Sequence, residues 1–124
     1  MRRRELAIGA AALLLGLSPG VARAEDAWTV SDVHQAILDA SNNTGVPHAR
    51  LWSIVACETG RTFDPWSVGD RGTSFGPVQL HVGGGEITRY RAAYPGRSLH
   101  DPYSSIEYLA TAILEGRSAA WSCA

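Results

Sequence analysis

Apolar positions recur at helical spacing in three stretches of the chain. In "SDVHQAILDASNNTGVP" Val33, Ala36, Ile37 and Ala40 share one face, which predicts a helix capped by Ser31 and stopped by Gly45 and Pro47. Pro47 also suits the first turn of the next helix, "PHARLWSIVACET", which Gly60 ends. The third stretch, "DPYSSIEYLATAILEG", carries Ile106, Leu109, Ala110 and Ile113 as its stripe. Asp101 is its cap, Pro102 its first residue and Gly116 its stop. Between Arg61 and Gly85 the rhythm breaks. Gly69, Gly72, Gly76 and the glycines at 83–85, with Pro65 and Pro77, predict turns and one or two short strands near residues 66–68 and 77–80. "EITRYRAAY" (86–94) predicts a short helix. The pattern defines a mainly α fold: a small helical domain with a glycine-rich loop and short β insertion after the second helix. No repeat, low-complexity tract or linker divides it.

The first residues follow a different pattern. Three arginines (2–4) precede "LAIGAAALLLGL", an apolar run too short to span a bilayer as a helix, and "SPGVARA" ends in the small-residue exit Ala22-Arg23-Ala24. This predicts a signal peptide over residues 1–24 and one domain over 25–124, in a secreted or periplasmic protein with no membrane contact once the signal is cut. Without Arg2, Arg3, Arg4, Arg23 and Glu5, seven arginines face eleven acids. No basic stripe remains to follow a phosphate backbone, so nucleic acid is not an expected partner. In an oxidising compartment the only two cysteines, Cys57 and Cys123, are expected to pair. The bridge would tie the end of the second helix to the C-terminal segment. A monomer is expected.

Candidate chemistry starts at Glu58. Leu51, Ile54 and Val55 are the apolar members of one helix face, and Glu58 is the next position on it. A carboxyl there loses solvent and faces the negative end of the helix dipole. Both effects raise its pKa, which is what a general acid needs near neutral pH. The same placement also fits a buried glutamate paired with Arg61 or Arg71. The glycine-rich segment that follows offers Asp64, Asp70, Ser74 and Gln79, polar groups suited to the hydroxyl and amide groups of a saccharide. Trp52, Trp66, Phe75 and Tyr90 are candidates for stacking on sugar rings or for ordinary core packing. Asp70 reads either as a turn residue or as a second carboxylate. His81 reads either as a cleft residue or as a surface histidine.

"ACETGRTFDPWSVGDRGTSFGPVQLH" followed by "DPYSSIEYLATAI" resembles the lytic transglycosylase branch of the lysozyme-like superfamily. In that family a helix ends in the catalytic glutamate, commonly followed by serine; here the pair is Glu58-Thr59. Its Gly-Leu-Met-Gln type motif has the counterpart Gly76-Pro77-Val78-Gln79, preceded by Ser74. Its downstream Asp-Pro helix has the counterparts Asp101-Pro102, Ile106 and Tyr108-Leu109. The likeness spans Arg50 to Leu114. It implies a lysozyme-like α+β fold, Glu58 as acid and base, and Ser74 and Gln79 along a glycan cleft. The substrate would be the β-1,4 link between N-acetylmuramic acid and N-acetylglucosamine in peptidoglycan. The family's Ala-Tyr-Asn-Ala-Gly type segment has no counterpart in "GRSAAWSCA", which leaves Tyr90, Tyr103 and Tyr108 to hold the sugar. "VGDRGTSFG" is closer to small lysozyme-like proteins that keep an aspartate in the turn, so a hydrolase using Asp70 stands beside the transglycosylase. A non-catalytic wall-binding module on the same fold is a third reading.

Other chemistries lack their residues. The four histidines, 34, 48, 81 and 100, show no metal-ligand spacing, and neither cysteine has a CxxC partner. "GGGE" lacks the Lys-Ser/Thr of a phosphate loop, and no Gly-x-Ser-x-Gly elbow occurs. The reaction expected here needs no cofactor or metal.

Overall fold

The computed structural model describes residues 27–124; the signal peptide expected over 1–24 lies outside them. The described residues form four helices and a small sheet: α1 (Val30–Thr44), α2 (His48–Glu58), β1 (Val68–Gly69), β2 (Ser74–Phe75), β3 (Leu80–His81), α3 (Gly85–Ala93) and α4 (Pro102–Leu114). A single 3-10 turn, Ser118–Ala120, precedes the C-terminal residues. The chain is therefore mainly helical with a little antiparallel sheet.

α1 starts two residues earlier than a Ser31 cap would place it. Thr29 is its cap, and Asp32 reaches back to accept from the Thr29 N–H at 2.9 Å. This is a capping box with aspartate in the glutamate position, and it leaves Ser31 exposed in the first turn. The anticipated stripe Val33, Ala36, Ile37 and Ala40 is buried and packs chiefly on α4. α4 is capped as its sequence indicates: the Asp101 carboxylate accepts from the N–H groups of Tyr103 and Ser104. Leu51 and Val55 of α2 join Ile106 and Leu109 of α4 in one core in which all four are fully enclosed. Burying such a side chain contributes about 1.5–3 kcal/mol.

The insertion holds three strands rather than one or two. β2 pairs antiparallel with both neighbours, in the register Gly69↔Ser74↔His81 and Val68↔Phe75↔Leu80. Each strand is two residues long, so no apolar alternation announces it. Turns set the pairing: Asp70, Arg71 and Gln79 adopt left-handed φ values of 49°, 58° and 51°. Gly76, at φ 86°, brings the β2–β3 turn against the backbone of Leu99, where a Cβ would overlap the carbonyl oxygen. The insertion is thereby held against the loop before α4.

Cys57 and Cys123 are joined, with Cα atoms 5.8 Å apart. The C-terminal residues are thus fastened beside the end of α2, and Trp121 closes the core there with its indole N–H on Val78 O at 2.8 Å.

Candidate active site

The end of α2, the cleft-facing row of the sheet, the start of α3 and the C-terminal residues enclose a cleft of about 760 Å³. Its volume lies in the range typical of small-molecule sites. Glu58, Asp70, Ser74 and Gln79, all singled out from sequence, line it. Cys57 and Cys123 form part of its rim.

Glu58 is the last residue of α2 and is half-buried. Burial pushes its pKa up; the Cys123 backbone N–H, donating to Oε2 at 3.3 Å, pulls it down; the nearby Asp70 charge pushes it up again. Burial is the largest of the three and the net direction is upward. The alternative of a glutamate paired with Arg61 or Arg71 is not realised: Glu58 makes no ion pair among the described residues.

Asp70 sits on the turn between β1 and β2 and stays exposed. The Ser74 hydroxyl donates to Asp70 Oδ2 at 2.5 Å, and His81 Nδ1 lies 3.3 Å from Ser74 Oγ. Since the serine proton is committed to the carboxylate, the histidine contact requires a proton on Nδ1. Asp70, Ser74 and His81 thus form one hydrogen-bonded chain along the cleft, and the sheet register places Ser74 beside His81.

Gln79 is fixed by its own amide. Nε2 donates to Ser67 O at 3.2 Å and Gly76 O at 2.9 Å, which uses both N–H groups. Oε1 is left against Gly69, where any Cβ would overlap it. The glycine therefore makes room for an amide oxygen on the cleft wall.

None of the three tyrosines expected to hold sugar lines the cleft. Tyr90 is fully buried, its hydroxyl on Ser98 O at 2.8 Å and Ser104 Oγ at 2.6 Å. Tyr108 is also in the core, and its hydroxyl donates to Glu86 Oε1 at 2.5 Å. Neither lines the cleft. Both belong to the apolar packing of α3 against α4, and each hydroxyl is spent on an internal partner. Tyr103 instead ties α4 to α1 through Asp32 Oδ1 at 2.8 Å.

Glu86, Trp121 and the glycines 84 and 85 line the cleft without having been singled out for it, and His81 proves to be a cleft residue. Arg117 Nη1 and Tyr108 both donate to Glu86 Oε1, so this carboxylate is braced from behind. No local pattern marks these residues; the disulfide and the α4 packing bring them to the cleft from distant parts of the chain. Among the described residues no group of three or more His, Cys, Asp and Glu is arranged to hold a metal ion, and no helix is long and apolar enough to cross a membrane.

Compared with protein-family models, curated proteins and solved structures, the chain matches none.

Proposed function

We propose that this is a lysozyme-like glycosidase of the lytic transglycosylase type, acting outside the cell on peptidoglycan glycan strands. The observation that carries the reading is Glu58: a half-buried carboxyl with a raised pKa, at the end of a helix, opening into a cleft that Asp70, Ser74, Gln79 and His81 also line. Such a group holds its proton toward neutral pH and can deliver it to the oxygen of a glycosidic bond. Glu58 protonates the leaving oxygen between N-acetylmuramic acid and N-acetylglucosamine. The electron-poor anomeric carbon is then attacked by the sugar's own 6-hydroxyl, and the glutamate, now deprotonated, takes the hydroxyl proton. The product carries a 1,6-anhydro end. No cofactor enters these steps.

A second reading is a retaining hydrolase in which Asp70 is the other carboxylate. It is favoured by the position of Asp70 on the cleft and by its charge acting on Glu58. Against it stands the Ser74 hydroxyl, which occupies one oxygen of Asp70.

Glu58→Gln keeps the side-chain shape and removes the transferable proton. It should lower dye release from labelled cell walls by at least about 10²-fold. Muropeptide masses, recorded without borohydride reduction, separate the mechanisms. Anhydro ends are one water lighter than reducing ends, so hydrated products alone would make the protein a hydrolase. Wall binding by the wild type without any release would make it a binding module.

A further inference from the structure

A second hollow, of about 570 Å³, lies on the outer side of α2. Trp52, Ser53, Ala56, Cys57, Gly60 and Arg61 line it. The residues from 52 to 57 recur at helical spacing, so one face of α2 supplies most of the wall and the turn after it supplies the rest. Cys57 lines this hollow and the cleft alike, so the two depressions share a wall at the end of α2.

Two side chains give the hollow a chemistry that the cleft lacks. Trp52 is held by His34, Phe63 and His48, with ring centroids 4.6, 4.5 and 5.7 Å away, yet 36% of it remains open to solvent. Arg61 is fixed through its backbone, whose N–H donates to Ala56 O at 2.7 Å, in the left-handed region at φ 71°. Its exposed guanidinium makes no ion pair among the described residues. The cleft is lined by no arginine; of its three carboxylates, Glu86 is already paired with Arg89 and Arg117, Glu58 is the proposed proton donor, and the exposed Asp70 makes no ion pair among the described residues. A carboxylate-bearing sugar unit finds no free cationic partner in the cleft and finds one, Arg61, in the hollow.

We infer that the hollow is a second binding site for the same glycan strand, an inference that rests on the glycan-cleaving reading above. Its ligand is a sugar unit carrying a carboxylate-bearing substituent, with the carboxylate on Arg61 and the sugar against Trp52. The indole offers contact to any sugar regardless of charge, and the guanidinium selects the anionic unit. The bond to be cut lies over Glu58 while the charged substituent is held beyond the shared wall.

The test compares two substrates: peptide-bearing glycan strands in their native form, and the same strands with their carboxylates chemically amidated. Arg61→Ala should raise KM for native strands by about three- to tenfold and change KM for amidated strands by less than about twofold. The rise on native strands should shrink in high salt. Trp52→Ala should raise KM for both strands, and Trp52→Phe, which keeps a ring against Phe63 and His34, should restore most of the loss. Should the alanine variant fail to fold, the Arg61 comparison decides alone. An active wild type whose KM is unmoved by Arg61→Ala, or moved equally on both strands, overturns this inference and spares the reading it rests on. A wild type that cleaves neither strand overturns both.

Discussion

Glu58 is where a single residue departs from the pattern around it. Leu51, Ile54 and Val55 are buried, and the next position on their face carries a carboxyl. Its raised pKa has a consequence for folding as well as for activity. A carboxyl with a higher pKa in the folded than in the unfolded state binds its proton more tightly when folded. Its contribution to stability is then fully present below the unfolded value and is lost as pH rises through the folded one. Wild-type stability should therefore carry a decline that begins from about pH 4.5 upward. Glu58→Gln lacks the ionisation and should lack that component. Melting temperatures of the two proteins at about pH 4 and about pH 7 should diverge in favour of the glutamine variant. A constant difference would mean that burial does not perturb Glu58. Asp70→Asn tests the neighbouring charge. It removes a negative charge that raises the Glu58 pKa, so the alkaline limb of kcat/KM should move to lower pH. Under the single-acid mechanism kcat should fall by less than about tenfold, whereas loss of a nucleophile would cost far more. Glu58, Asp70, Ser74 and Gln79 were legible as cleft residues from the polar groups at and after the end of α2, but Asp64 of the same segment accepts from the Trp66 N–H in a turn and does not line the cleft. Tyr90 and Tyr108 were misplaced because an aromatic on a helix face has the same sequence pattern whether it packs inward or meets a ligand. Only the α3–α4 contact decides that question.

Helices were the legible elements. α1 and α2 have apolar stripes that burial reproduces position by position; α4 begins at its Asp-Pro signal and buries Ile106, Leu109 and Ala110 of its stripe, with Ile113 only partly buried. The start of α1 was placed late because Thr29 and Asp32 make a capping box, a pair that competes with Ser31 for the same role. The sheet was only partly visible, since two-residue strands are defined by the turns between them rather than by their own side chains. Two substitutions test how these elements hold the cleft. Asp101→Ala removes the α4 cap, two backbone hydrogen bonds and an ion pair to Arg97 at 3.4 Å. It should cost about 1–2 kcal/mol in chemical denaturation and leave the slope against denaturant unchanged. Gly69→Ala acts on the sheet instead. The new Cβ collides with Gln79 Oε1, and the amide cannot move without giving up its bonds to Ser67 O and Gly76 O. A loss of about 1–3 kcal/mol is expected, accompanied by a fall in activity because the displaced group lies on the cleft wall. Unchanged activity in the folded variant would mean that Gln79 has no part in binding.

At the scale of the whole molecule, the Cys57–Cys123 bridge joins stability to chemistry. It closes a loop across a sequence separation of 66 residues, which includes the sheet, α3 and α4. The chain-entropy contribution of such a loop is about 4 kcal/mol, a large share of what a domain this small has to spare. The same bridge holds Cys123 where its backbone N–H meets Glu58 Oε2, and holds Trp121 on the cleft wall. Reduction should therefore have two separable effects. The melting temperature should drop, because the unfolded chain regains its freedom. The alkaline limb of kcat/KM should move to higher pH, because the lost N–H contact was holding the Glu58 pKa down. This upward movement is opposite in sign to that expected for Asp70→Asn, and a general loss of folded protein would lower the rate at every pH without moving the limb. The experiment is a pH profile of wall cleavage for the reduced and alkylated protein, at a temperature where circular dichroism shows it still folded. A drop in melting temperature with an unmoved alkaline limb would reduce the bridge to a staple and leave the Cys123 contact without a role in tuning the acid.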